Sequence, residues 1–172
     1  AKYLFICAHE DNPGLDVNDE RSFFVHLLER VDFSSNLHFF TRTTMDTLDY
    51  STAQINTGSK LVVAAAGEKR RKLAREFPHG FSLADGFCDP GFAAPGMVVV
   101  KADKFTSYPS AIKQMNKLKK HLQNLSGLDS LPLFVVVDDA PFARRTFADF
   151  LWVTFLRSNP SHDIYGVNEQ VE

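Results

Sequence analysis

The chain has 172 residues and a formal net charge of -2, with 44% hydrophobic and 23% charged residues. This length and composition predict one soluble globular domain, or two half-sized lobes packed together, whose core needs no metal or disulfide. They exclude a nucleic-acid binder that relies on strong basic charge, and no apolar run reaches the roughly 18 residues of a membrane-spanning helix.

The cysteines indicate the cellular compartment of the protein, and the first residues indicate whether the chain is part of a longer protein. Cys7 and Cys88 are far apart in the sequence and lack the spacing of metal ligands, which predicts free thiols in a reducing compartment and hence a cytoplasmic protein. The chain begins with Ala, and an apolar run starts at Tyr3. Because a natural N terminus usually has a frayed lead-in before a buried strand, we expect a piece of a longer protein.

Short apolar runs bounded by polar or turn residues predict six strands, at 3–8, 37–41, 61–66, 97–101, 133–138 and 163–167. Three of these runs, at 61–66, 97–100 and 133–137, are apolar on both faces. Strands without alternation lie in the middle of a parallel or mixed sheet that helices cover on both sides.

Four helices are predicted between these strands, over 21–31, 68–76, 109–125 and 144–157. Asn18 or Asp19 can cap the first helix, and Ser107 can cap the third. The last helix is apolar nearly all round, so it is either buried or in contact with another protein surface.

The alternation of strands and helices predicts an α/β fold, with a three-layer α/β/α arrangement around a mixed, largely parallel sheet. Residues 1–76 form the first half, 77–95 a connecting loop rich in Gly and Pro, and 96–172 the second half. Each half has an apolar strand that ends in acidic residues, a helix that ends at an arginine and a short polar loop. This pattern predicts two similar βαβ halves that arose by internal duplication.

Two adjacent acids, Asp138 and Asp139, follow a buried strand, at the sheet edge where open α/β folds bind ligands. Paired carboxylates at such an edge can hold Mg²⁺ or share a proton. The alternative is structural: one carboxylate caps the next helix, and the other pairs with Arg144, Arg145 or Arg157.

Three further polar groups are possible sites. Arg157 and Asp163 are expected to form a clamp that holds the turn between them. Lys60, in the run Gly-Ser-Lys at 58–60, lies where backbone N–H groups can meet an anion. The run His-Glu-Asp at 9–11 has metal-ligand chemistry, but successive strand residues point to opposite faces, so the three side chains do not converge without a bulge.

The second half resembles the C-terminal domain of UbiD-type decarboxylases, most specifically over 133–163. The resemblance is carried by a strand that ends in two acids at 134–139, by a Trp-bearing helix at 150–152 and by an Arg-x-x-Pro-x-x-Asp segment at 157–163. The first half is similar to the same region, and its runs at 46–50 and 58–60 resemble the Asp-Tyr-Leu-Asp and Gly-Ser-Lys stretches of the family.

The resemblance implies the C-terminal, non-catalytic domain of a carboxy-lyase that acts on aromatic or unsaturated acids, usually in quinone biosynthesis. The family uses prenylated FMN, a divalent metal (Mn²⁺ or Mg²⁺) and K⁺, which are held by regions with no counterpart in this chain. The implied partners are the catalytic N-terminal part of the same protein and further copies in a homo-oligomer. Trp152 and Phe155 are then candidate interface anchors.

A rival hypothesis from another class stays open on the residues alone. It is a self-contained α/β module that binds a small ligand or Mg²⁺ through Asp138 and Asp139. No catalytic, cofactor-binding or metal-binding residue is assigned to this chain under the first hypothesis, and the isolated chain is expected to be inactive.

Overall fold

Two separate three-stranded sheets carry the fold of the computed structural model, which describes residues 1–45, 49, 51 and 56–168. The chain divides into a first unit, residues 1–72 with 151–164, and a second unit, residues 73–150 with 165–172. The α/β class is as predicted. The predicted mixed character is confirmed, because each sheet contains one parallel and one antiparallel strand pair, but the strands form two sheets where one was predicted.

The sheet of the first unit has the strand order β1-β3-β2. Its central strand β3 (Thr57–Ala65) runs parallel to β1 (Tyr3–Cys7) and antiparallel to β2 (Leu37–Thr44). Helix α1 (Glu20–Arg30) connects β1 to β2, and the Asp19 carboxylate caps it by accepting from the Ser22 amide at 3.1 Å.

Four aromatic rings join the elements of the first unit. Phe5 of β1 lies with its ring centroid 4.8 Å from Phe24 of α1 and 5.1 Å from Phe155, and Tyr3 lies 5.0 Å from Phe155. Phe155 belongs to a π-helix (Trp152–Leu156) that reaches this unit from late in the chain. The aromatic cluster therefore fixes residues 151–164 to β1 and α1, because such ring pairs add to the gain from burial.

The sheet of the second unit has the order β4-β5-β6. Its strands are β4 (Cys88–Ala94), β5 (Met97–Lys101) and β6 (Leu133–Val137), and β5 pairs antiparallel to β4 and parallel to β6. Strand β4 lies where a connecting loop was predicted. Its Gly and Pro residues hid it from sequence reasoning, and the β4–β5 pairing is irregular at both ends.

Helices cover the second sheet. Helix α2 (Tyr108–Leu122) has the predicted Ser107 cap, and its Leu118 and Leu122 pack against Val98 and Val100. Met97 and Val99 point to the opposite face of β5 and are equally buried, at 0% exposure. Helix α3 (Ala140–Arg145) contacts all three strands, so both faces of this sheet are covered.

The predicted helix over 144–157 is three separate elements. Helix α3 ends at Arg145 because Thr146 is extended, α4 spans Phe147–Leu151, and the π-helix follows. Of the two alternatives for this segment, full burial does not apply, since Phe150 is 0% exposed but Trp152 is 46% and Leu156 is 60% exposed. Contact with another protein surface stays a prediction.

Two other predicted elements are absent from the described chain. Residues 68–76 form no helix, because Arg71 instead donates to the carbonyl oxygens of Leu28 and Val31 and holds the segment against the end of α1. Residues 163–167 form no strand, because Pro160 starts a short helix, α5 (Pro160–Asp163), whose end leads into irregular backbone.

The two sheets share one arrangement. In each, the strand followed by acids and a helix (β1 or β6) runs parallel to the central strand, and the third strand is antiparallel. The strand that runs parallel to the central strand is the first strand of the first unit (β1) and the last strand of the second unit (β6).

His26 is a buried titratable group within the first unit. It lies on α1 at 6% exposure, and its Nε2 atom has no hydrogen-bond partner among the described residues. Burial, and then the nearby Arg30 guanidinium, lower the pKa of His26 below its usual value. The folded state therefore disfavours protonated His26 more than the unfolded chain does.

This asymmetry predicts a pH-dependent loss of stability. The contribution of neutral His26 is present above the unfolded pKa of about 6.5, and it is lost as the pH falls below that value. We expect the thermal midpoint of the parent chain to fall more between pH 7 and pH 5 than that of His26→Leu. The exposed His79→Leu is the matched control, and equal slopes for the parent and His26→Leu would contradict the argument.

Candidate functional site

The structure brings two of the family-like segments together in the first unit. Ser59 of β3 is 1% exposed, and its hydroxyl donates to Oδ1 of the buried Asn159 at 2.5 Å. The same hydroxyl oxygen accepts from the Ser161 amide at 2.9 Å. The Gly-Ser-Lys run at 58–60 and the segment 157–163 therefore form one polar junction, although about 100 residues separate them in sequence.

Asp163 closes the turn of this junction. Its carboxylate accepts from the backbone amide of Asn159 at 2.6 Å, and its own amide donates to the Asn159 carbonyl at 2.9 Å. The Arg157 guanidinium lies instead 5.5 Å from the ring centroid of Trp152. The turn is held by Asp163 as predicted, but its described partner is a backbone amide and not Arg157.

A second set of polar contacts ties the N terminus to the same segment. Lys2 Nζ donates to the Leu156 carbonyl at 2.8 Å and lies 3.1 Å from Oδ2 of Asp49. Burial opposes ionisation of Asp49, but hydrogen bonds from Ser51 and Lys2 outweigh it and hold the pKa of this carboxyl below its usual value. Of the family-like run at 46–50, only Asp49 lies within the described residues.

Tyr3 reinforces this attachment. Its hydroxyl shares a 2.5 Å hydrogen bond with the Ser158 hydroxyl, which also donates to the Thr154 carbonyl at 2.6 Å. Burial raises the pKa of Tyr3 to about 12, so its hydroxyl keeps its proton at neutral pH. Tyr3 therefore acts here as a neutral hydrogen-bonding group and not as a base.

Lys60 does not reach the polar junction. It alternates with Ser59 along β3 and lies opposite Phe40 of β2, so its side chain is on the other face of the sheet. Sequence reasoning selected Lys60 and passed over Ser59. In the structure, Ser59 continues the row of inward positions at 61, 63 and 65. Because the run 61–66 is apolar on both faces, the sequence carried no alternation that would have marked Ser59 as inward.

In the second unit, Asp138 and Asp139 do not act as a pair. The Asp139 carboxylate accepts from the Phe142 amide at 3.0 Å and caps α3, which is the structural alternative for these acids, while Asp138 is exposed. The arginines expected to pair with these acids bind elsewhere, Arg144 to Asp89 at 2.9 Å and Arg145 to Asp149 at 3.0 Å.

The residues at 9–11 also have a structural role. They form a single 3₁₀ turn, and Oδ2 of Asp11 accepts from the Gly67 amide at 2.7 Å. Arg30 donates to the Gly67 carbonyl at 3.0 Å, so Asp11 and Arg30 hold this loop at the end of β3 from both sides. Burial raises the pKa of the nearby Cys7 thiol to about 11, which keeps it protonated.

The described side chains form no metal-binding group. Among residues 1–45, 49, 51 and 56–168, no three His, Cys, Asp or Glu side chains are grouped so that they could hold a metal ion. A shallow hollow in the second unit has no carboxylate in its lining, which consists of His79, Gly80, Phe81, Leu125, Ser126, Leu128 and Leu131. These residues do not fit a divalent metal ion, and no catalytic step is assigned to them.

The two candidate interface residues differ in their surroundings. Phe155 contacts the rings of Tyr3, Phe5 and Phe24 inside the first unit. Trp152 is 46% exposed and carries the Arg157 guanidinium over its ring. Trp152 is thus the more accessible of the pair, since Phe155 is only partly exposed.

The polar junction predicts the effect of removing the Ser59 hydroxyl. Ser59→Ala leaves the buried Asn159 side chain and the Ser161 amide without this partner, which costs about 1–3 kcal/mol of unfolding free energy. Chemical denaturation measures this loss, and Ser35→Ala, at an exposed site of the same unit, is the control. A loss no larger than that of the control would show that the junction does not hold residues 151–164.

Comparison with known proteins finds a family similarity in the first unit. Residues 1–65 match the model of the 3-octaprenyl-4-hydroxybenzoate carboxy-lyase C-terminal domain. We expected the resemblance to be most specific over 133–163, whereas the family model matches the first half. The segment 157–163 nevertheless folds into the same unit as the matched residues.

Relatives from Chlamydia extend the similarity along the chain. An uncharacterized protein of Chlamydia muridarum is 30% identical over 164 residues, which is 95% of this chain and 26% of the relative. A similar protein of Chlamydia trachomatis is 28% identical over 165 residues, with the same two coverages. A 4-hydroxybenzoate decarboxylase subunit of Chlamydia pneumoniae is 30% identical over 144 residues, or 83% of this chain and 22% of the relative.

The chain thus spans about a quarter of the length of the curated relatives that it matches. No described helix is long and apolar enough to cross a membrane. The matched residues comprise β1, α1, β2 and β3, the core of the first unit. In its first 65 residues, the chain is similar to the C-terminal domain of the UbiD-type decarboxylases.

Proposed function

We propose that this chain is the non-catalytic C-terminal part of a UbiD-type carboxy-lyase, in which it serves assembly and closes the active site. The observation that carries the proposal is the set of contacts that the aspartate side chains make. Asp139 caps α3, Asp163 closes the turn after Asn159, Asp11 holds the Gly67 loop and Asp149 pairs with Arg145. These carboxylates stabilise local structure instead of converging on a reacting group.

The whole protein would decarboxylate an aromatic or unsaturated acid. The name of the Chlamydia pneumoniae relative, a 4-hydroxybenzoate decarboxylase subunit, supports an aromatic acid as substrate. The description of the matched family supports a polyprenylated hydroxybenzoate and hence quinone biosynthesis. Prenylated FMN, a divalent metal and K⁺ would be bound by other parts of the protein.

The partner in this proposal is the catalytic part of the same protein, in a cytoplasmic homo-oligomer. Exposed apolar side chains support a role in contacts with other protein surfaces, because large apolar side chains at the surface are typical of interfaces. In the first unit they include Leu4, Ile6, Phe40, Trp152 and Leu156, each at least 44% exposed.

The first test is the activity of the chain by itself. The 172-residue chain, supplied with prenylated FMN, Mn²⁺, K⁺ and 4-hydroxybenzoate, is expected to release no CO₂ above a protein-free blank. A full-length UbiD-type decarboxylase assayed in parallel controls for the cofactor preparation. Turnover by the 172-residue chain would contradict the non-catalytic role.

A second test separates this proposal from a Mg²⁺-binding module. Because the Asp139 carboxylate is already engaged as a helix cap, we expect millimolar Mg²⁺ or Mn²⁺ to leave the thermal midpoint unchanged. Asp138→Asn provides the comparison. A large rise of the midpoint with metal that Asp138→Asn abolishes would favour the binding module.

A further inference from the structure

One face of the first sheet carries no layer in the described structure. We call it the open face: Leu4 and Ile6 of β1, Lys60, Val62 and Ala64 of β3, and His38 and Phe40 of β2. The pairing register puts Leu4 opposite Val62 and Ile6 opposite Ala64, so these side chains share one side of the sheet. Leu4, Ile6 and Phe40 are 49%, 44% and 54% exposed, whereas Leu61 and Val63 on the other face are buried.

The sheet of the second unit shows what is missing. It has the same arrangement of one parallel and one antiparallel pair, yet its central residues are buried on both faces. All-parallel sheets occur almost only with both faces covered, whereas antiparallel sheets can leave one face to solvent. Among the described residues, the open face of the first sheet, which includes the parallel pair β1–β3, lacks the covering layer that its counterpart has.

The chemistry of the open face indicates what would cover it. The face is apolar over β1 and over Val62 and Ala64 of β3, which suits the apolar stripe of a helix. Lys60 of β3, opposite Phe40, is half-buried, points to this face and has no carboxylate partner among the described residues. A covering element would thus carry apolar residues along one stripe and an acidic residue opposite Lys60.

The relatives indicate where such an element comes from. They are about four times as long as this chain, so about three quarters of each relative has no counterpart here. Among residues 1–45, 49, 51 and 56–168, the helices near the first sheet, α1 and the 151–164 segment, contact its other face through Phe24 and Phe155.

We propose that the open face is the docking surface for a helix from the catalytic part of the longer UbiD-type protein. The inference rests on the proposed function, and it assigns the surface through which the C-terminal part meets its catalytic partner. Docking would bury Leu4, Ile6 and Phe40 and give Lys60 an ionic partner. Trp152 and Leu156 lie outside this surface, since their segment is on the other face of the sheet.

The proposal is tested by photo-crosslinking in the longer protein. A benzophenone amino acid replaces Leu4 or, separately, Ile6, and replaces Ile112 as a control on α2 with 45% exposure, close to the 44% of Ile6. Mixed ¹⁴N- and ¹⁵N-labelled protein distinguishes links within one chain from links between copies. We expect positions 4 and 6, but not 112, to link to a peptide of the same chain outside these 172 residues.

Substitutions on the open face provide the second readout. With the crosslinker at position 4, Ile6→Glu should abolish the link and Ile6→Leu should retain it, because only the first puts a charge into the apolar contact. Both substitutions are at an exposed site, so circular dichroism of the 172-residue chain should show the same fold and thermal midpoint. Links to residues 73–150, links to a second copy, or no links at positions 4 and 6 would overturn the proposal.

The outcome for the docking surface can be distinguished from the outcome for the proposed function. Decarboxylation by the longer protein is measured on the same preparation. An inactive protein with the expected links would leave the docking surface in place and contradict the carboxy-lyase assignment. An active protein whose links lie elsewhere would overturn the docking surface alone.

Discussion

The first unit depends on a buried hydroxyl. Ser59 binds the side chain of Asn159 and the amide of Ser161, and so attaches a segment from late in the chain to the central strand of the first sheet. A buried polar atom that loses its partner pays the full cost of its lost hydration. The hydrogen bonds of Lys2 and Tyr3 and the ring of Phe155 strengthen the same attachment.

Local patterns predicted much of the secondary structure. The apolar run at 97–101 gave β5 to the residue, and the caps Asp19 and Ser107 were recognised because capping is a short-range effect. Strand β4 and the break at Thr146 were missed, because pairing with β5 and local backbone geometry override propensity there. The division into two sheets depends on long-range pairing that periodicity does not encode.

The candidate site was predicted only in part. The structural use of Asp139 as a helix cap followed from its position before a helix, and Asp163 holds a turn as expected. The roles of Ser59 and Asn159 were not foreseen, because their contact joins residues 100 positions apart. The family resemblance found the right domain class, while the model match is on the half that had been treated as its copy.

The discontinuity of the first unit has a consequence for biosynthesis. Residues 1–72 leave the ribosome long before residues 151–164, which complete the same unit. During that interval Tyr3, Phe5 and Phe24 are without the ring of Phe155, while residues 73–150 emerge and can begin to fold. The first unit is thus completed only when residues 151–164 have emerged, and chaperone protection of Tyr3, Phe5 and Phe24 would matter most in this window.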